Sequence, residues 1–242
     1  MRVQIEYRGF AKPSPQRSLD VYRRQTHPGP IDQGRSSVLN RCMRNSLAIY
    51  LVAGWSGYYV MALELLGARA LSPYFGSGIY VWGAVITVFM LSLSMGYLLG
   101  GRLSLEHASI RVLGFLLLAA VASAIPCVAF SDQLLEFVFT RVDDPRYGAL
   151  LASIILFFAP ITLCGAISPY AVRLIVASLG STGQTAGHVF FISTLGSTLG
   201  TLITSFYLVL LFEVDQILIG MSLISVLVAA NALRFGSTEQ TS

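Results

Sequence analysis

Long apolar runs alternate with short polar breaks along most of this chain. A helix that crosses a bilayer needs roughly 20 mostly apolar residues, because the hydrocarbon core is about 30 Å thick and a helix rises about 1.5 Å per residue. Six segments meet that requirement, at 46–68, 79–101, 110–130, 148–168, 186–211 and 214–234. The predicted fold class is all-α, a polytopic membrane helix bundle of six transmembrane helices. The tightest connection is FEVDQ, where Glu213 and Asp215 leave room for only a short turn between the last two spans.

The segments outside the spans carry their own patterns. DQLLEFVFTRV at 132–142 sets Leu134, Leu135, Phe137, Val138 and Val142 among charges, which suits a short amphipathic helix at the interface. YAVRLIVASL at 170–179 suits either a second interfacial helix or a continuation of the fourth span past Pro169. Residues 1–45 mix Pro, Ser, Gln and Arg without a sustained apolar period, so a disordered basic tail is expected. Met43, just before the first span, is an alternative start. The expected organisation is thus a tail at 1–45, a membrane domain at 46–235 and a short C-terminal tail at 236–242.

Charge adds an orientation. The chain is 55% hydrophobic and 12% charged, about half the charge of a typical soluble domain. Its net +4 invites nucleic acid, but nine of the 16 Lys and Arg lie before position 45, so nucleic-acid binding is not expected. Basic residues are retained on the cytoplasmic side, and Arg41, Arg44, Arg102, Arg111, Arg173 and Arg234 all fall at one set of helix ends. The opposite ends hold Arg69, Asp132, Glu136, Arg141, Asp143, Asp144, Arg146, Glu213 and Asp215. Both termini are therefore expected in the cytoplasm. Arg102, Arg111 and Arg173 would offer contacts at the cytoplasmic face.

The two halves share a pattern. LSPYFG at 71–76 follows the first span and ISPYAV at 167–172 follows the fourth. Proline lacks an amide hydrogen and disfavours helix in the residue before it, so Pro73 and Pro169 should each end or kink a helix. Span two contains Gly96 and Gly100, and span five contains Gly196 and Gly200, a spacing that lets another helix approach closely. Three spans used twice must be inverted the second time, as in transporter halves with substrate sites at the repeat interface. The pattern suggests a 3+3 inverted repeat, while the glycines serve helix packing equally well.

Ionisable residues inside a span cost about 2.5–3.5 kcal/mol each, so they need a partner or a task. Glu64 is the foremost, about a turn from the outer end of span one, with Arg69 five residues on and Tyr58 and Tyr59 deeper in the same helix. These four are the candidate substrate-binding residues. Glu64 would either hold a cation or proton inside the bundle, or form an interfacial pair that orients the outer loop. Ser193, Thr194, Ser197, Thr198, Thr201 and Thr204 form a polar stripe on span five, for which hydrogen bonding to backbone or a neighbouring helix is favoured. His107 and His188 sit at helix ends, and Tyr74, Phe75, Tyr80 and Trp82 form an aromatic belt at one membrane edge. The cysteines, Cys42, Cys127 and Cys164, show no metal-ligand spacing. No phosphate loop, zinc-protease helix or nucleophile elbow occurs, so neither a catalytic residue nor a metal or other cofactor is expected.

The stretch MALELLGARALSPYFGSGIYVWGAVITVFMLSLSMGYLLGGRL at 61–103 resembles the start of the membrane domain in bacterial fused transporter-like/spermidine synthase proteins. Glu64, Arg69, Pro73, Tyr74, Phe75, Gly76, Tyr80, Trp82, Gly83, Gly100, Gly101 and Arg102 occupy that family's motif positions. ISPYAVRL at 167–174 and residues 187–212 resemble its second half, so the likeness spans roughly 46–235. The resemblance implies a bacterial inner-membrane protein that moves or senses a small, polyamine-related solute. Family members commonly continue into a soluble aminopropyltransferase-like domain, which this sequence lacks, so a non-enzymatic module is expected. Its implied partners are the lipid bilayer, a second copy as a homodimer, or a separately encoded soluble spermidine-synthase-like protein for which it would be the membrane anchor.

Overall fold

The structure, a computed structural model, describes residues 30–106, 109–179 and 182–236. The chain divides into two units, Met1–Met43 and Arg44–Ser242. The helices are α1 (Pro30–Phe75), α2 (Ile79–Glu106), α3 (Ile110–Ala129), α4 (Ser131–Arg141), α5 (Pro145–Leu179), α6 (Thr182–Ile203), α7 (Val209–Leu211) and α8 (Val214–Gly236). A single π-helical turn, Thr204–Leu208, joins α6 to α7. No strand occurs among the described residues.

Six of these helices are long and apolar enough to cross a membrane, as Arg44–Phe75, Ile79–Leu105, Ile110–Cys127, Pro145–Val176, Gly183–Leu211 and Val214–Arg234. The six expected spans are all present. A helix closes its backbone hydrogen bonds internally, which is the condition for lying in lipid. The expected interfacial helix is α4, which buries Leu135 and Val138 and leaves its charges outside. Residues 170–179 continue α5 through Pro169, which settles the alternative left open by the sequence. Helix α1 begins at Pro30, upstream of the expected first span; Pro30 is the last proline before the span, and its fixed φ suits a first helical position. Residues 1–29 of the tail, His107, and 237–242 lie outside the described residues.

Local chemistry sets the boundaries. Gly76, at φ +84°, takes the left-handed conformation that ends α1, and its amide bonds to the Ser72 carbonyl at 2.9 Å. Ser109 caps α3 by accepting from the Arg111 amide at 3.3 Å. Asp144 does the same for α5, from the Arg146 amide at 2.9 Å, with Pro145 between them.

Glycines bring the long helices together. A Cβ on Gly96 would fall on the Thr162 carbonyl, and one on Gly100 on the Ala166 carbonyl, so α2 and α5 touch backbone to backbone. A Cβ on Gly196 would likewise strike the Gly54 carbonyl, and one on Gly200 the backbone of Tyr58, joining α6 to α1. Helix α5 also packs along α3, and α3 along α8. The core forms two clusters. One, around Tyr59, Leu63, Leu66, Phe89, Phe157 and Met221, lies toward the Phe75 end. The other, around Val52, Leu113, Leu117, Ile167, Tyr170 and Ala229, lies toward the Ser109 end.

Candidate functional site

A cavity of about 390 Å³ opens at the Phe75 end, walled by α1, α3, α4, α5 and α8. Its floor is apolar, with Leu63, Leu66, Leu156, Phe157, Leu218 and Cys127; its rim holds Arg69, Tyr74, Asp132 and Asp215. Gly67 makes the space possible, since a Cβ there would meet the Phe157 ring at 2.8 Å. The two acids arrive on separate helices, Asp132 in the first turn of α4 and Asp215 in the first turn of α8. The Tyr74 hydroxyl donates to Asp132 Oδ1 at 3.3 Å. Arg69 donates from Nη1 to the Val209 carbonyl at 3.5 Å, tying α1 to α7.

The four residues singled out on span one are distributed among different environments. Arg69 reaches the cavity rim. Glu64 is half-buried and does not line this cavity. Five residues apart, it and Arg69 point about 140° apart around the helix, and no ion pair joins them among the described residues. Tyr58 stacks on Trp55, ring centroids 5.0 Å apart, beside a separate apolar groove. Tyr59, one residue and about 100° further round, is fully buried in the core at 1% exposure.

The other expectations fall at recognisable places. Gly96, Gly100, Gly196 and Gly200 all sit at helix crossings. Pro73 lies two residues before the end of α1, whereas Pro169 lies inside α5. Arg102 and Arg173 are exposed and Arg111 is half-buried. The polar stripe of α6 bonds mainly to its own helix: Thr198 donates to the Thr194 carbonyl at 3.0 Å and Thr201 to the Ser197 carbonyl at 3.1 Å. Ser197 also reaches the Gly57 carbonyl of α1 at 3.2 Å. Thr204 differs, its Oγ1 being buried without a hydrogen-bond partner where the π turn begins.

The sequence pattern did not single out Asp132 or Asp215 as site residues, yet they are the carboxylates that share a cavity with Arg69. The signal available was their position in the first turn after a polar break. Their proximity depends on how α4 and α8 meet α1, which no local pattern states. Among the described residues, no group of three His, Cys, Asp or Glu side chains is placed to hold a metal ion.

Six long apolar helices, an interfacial helix and a polar-rimmed cavity at one end define a polytopic α-helical membrane protein. No protein family, curated protein or solved structure matches the chain.

Proposed function

We propose that the chain is a non-enzymatic, transporter-like module that moves or senses a small cationic solute of the polyamine class. The observation that carries this reading is the rim of the cavity at the Phe75 end. Two carboxylates, Asp132 and Asp215, and one guanidinium, Arg69, give it an acidic excess above an apolar floor. A linear amine would place ammonium groups against the carboxylates and methylenes against Leu63, Leu66 and Phe157. Glu64, deeper in α1, is the next carboxylate inward, at a depth where charge needs compensation.

The resemblance of 61–103 to the transporter-like/spermidine synthase membrane domain supports the same solute class. On this reading the protein sits in a bacterial inner membrane, and its Arg distribution favours both termini in the cytoplasm, so that the cavity faces outward. Six helices make half of a twelve-helix transporter, so a homodimer of inverted-repeat protomers is the proposed working unit.

Reconstituted vesicles test this reading with labelled spermidine and putrescine. The wild-type chain is expected to bind or move them. Replacing both Asp132 and Asp215 with Asn should raise the half-saturating concentration at least about tenfold, since a charge-assisted hydrogen bond contributes roughly 1.5–3 kcal/mol. Glu64→Gln should slow flux more than it weakens rim binding. Absence of both binding and flux in the wild type would reject the proposal, and an unaltered double variant would move the site elsewhere.

A second reading has its own support. Arg102 and Arg173 are exposed at helix ends away from the cavity, a surface suited to an acidic soluble partner. Co-purification with a spermidine-synthase-like protein that is lost in Arg102→Glu/Arg173→Glu would favour an anchor over a transporter.

A further inference from the structure

Helix α6 rests on α1 through Gly54, Gly196 and Gly200, while α6 and α8 make no extensive contact with each other among the described residues. The gap between them, floored by α1, is an apolar groove of about 340 Å³. Its walls are large side chains flanking the glycine crossing: Leu51 and Trp55 on α1, Leu195 and Leu199 on α6, and Val228 on α8. Leu51, Leu195 and Leu199 are exposed, so the groove opens sideways, toward the bilayer.

The wall is held in place. Trp55 donates from Nε1 to Ser225 Oγ at 2.7 Å and stacks on Tyr58 with 9° between the rings. One end of the groove is polar. Asn231 lines both the groove and a neighbouring cavity that contains Arg234, and both residues are exposed. Arg234 is the last residue of the sixth candidate span, whereas Trp55, which lines the groove, lies well inside the first.

We infer that this groove is a binding site for an anionic phospholipid, its acyl chain lying along Trp55 and Leu199 and its phosphate against Arg234 and Asn231. A free phosphate would leave the apolar length of the groove unoccupied, and a zwitterionic lipid would bring to the guanidinium a phosphate whose charge its own headgroup ammonium offsets. The combination of a lateral apolar slot and a cation at its interfacial end matches a lipid with a negative headgroup. The inference is independent of the solute proposal, because the two cavities share no residue.

The chain contains two tryptophans, and Trp82 borders a different cavity, so Trp82→Phe leaves Trp55 as the sole reporter. In phosphatidylcholine vesicles, acyl-brominated phosphatidylglycerol should half-quench Trp55 at about a fivefold lower mole fraction than acyl-brominated phosphatidylcholine, the effect expected of one basic residue at an anionic surface. Arg234→Gln should erase that difference and Arg234→Lys should keep it. Val228→Phe, which fills the groove, should weaken quenching by both lipids. Equal quenching by the two lipids in the unaltered site, or a preference that survives Arg234→Gln, would overturn the inference. Because Arg234 is exposed, its variants remain informative even if Val228→Phe does not fold.

Discussion

The same tripeptide, Ser-Pro-Tyr, has opposite fates in the two halves of the molecule. At 72–74 it closes a helix, because Phe75 is the last helical residue and Gly76 turns left-handed immediately after it. At 168–170 it sits inside α5, which runs on to Leu179. Proline alone therefore does not stop a membrane helix, whose freed backbone groups can be satisfied by neighbours. The second residue after the motif decides. Glycine at 76 permits the reversed φ, whereas Ala171 and Val172 continue the helix.

The tyrosines diverge too, yet share a task. Tyr170 is fully buried and its hydroxyl meets Ser109 twice, accepting from the amide at 3.0 Å and donating to the carbonyl at 3.1 Å. Tyr74 is half-buried and donates to Asp132. Ser109 precedes α3 and Asp132 follows it, so the two tyrosines brace opposite ends of one helix. The glycine pairs behave alike where the tyrosines do not: each lies on the backbone of a helix from the other half.

The largest expected effect separates those two crossings. Gly100→Leu puts a side chain into the Ala166 backbone, where α2 and α5 pack extensively along each other. Overpacking of this kind should cost about 3 kcal/mol or more and abolish a cooperative thermal transition in detergent. Gly196→Leu makes an equivalent clash with Gly54 but should cost less. Only 11% of the most apolar stretch of α6 is buried, against 39% for α2. Hydrogen exchange should show α6 losing protection while α2 and α5 keep theirs. Global unfolding in both variants would show the crossings to be equivalent after all.

Much of this was legible in the residues. The six spans follow from apolar run length, and α4 from its charges alternating with Leu135 and Val138. The crossings were marked by small residues four apart, but their partners were not. Gly96 to Gly196 is a spacing of 100 residues, whereas the Ser-Pro-Tyr motifs are 96 apart. The backbone positions they strike, Thr162 and Gly54, are 108 apart. No single offset aligns the halves, so which residues meet depends on relative helix translation, a tertiary quantity. The same applies to the cavity. Glu64 stood out because a membrane carboxylate is costly, while Asp132 and Asp215, at the polar edges of their segments, showed no local sign of sharing a cavity with Arg69.

Smaller effects probe the motifs themselves. Tyr170→Phe strips two half-buried backbone groups of Ser109 of their partner and should lower stability by about 1–3 kcal/mol. Gly76→Ala forces a side chain into the left-handed region and should cost about 1 kcal/mol, or extend α1 by a residue. The reciprocal change, Val172→Gly, should cost about 1 kcal/mol, from glycine in a helix interior and the lost side-chain packing, without ending α5 there. If Val172→Gly instead terminated α5 at the motif, that second residue would be the whole switch.

Tyr74→Phe is the smallest and the most discriminating. Its hydrogen bond to Asp132 is long and its hydroxyl lies at an exposed rim, so stability should change by no more than about 0.5 kcal/mol. Function should respond where stability does not, because removing the donor leaves the Asp132 carboxylate free for a cation in the cavity. Spermidine binding should therefore be unchanged or slightly tighter in Tyr74→Phe, and weaker in Asp132→Asn. A loss of stability as large as that of Tyr170→Phe would mean that the two tyrosines brace α3 equally and that the exposed one is structural. A stable variant with altered binding would assign the first motif to the site and the second to the fold.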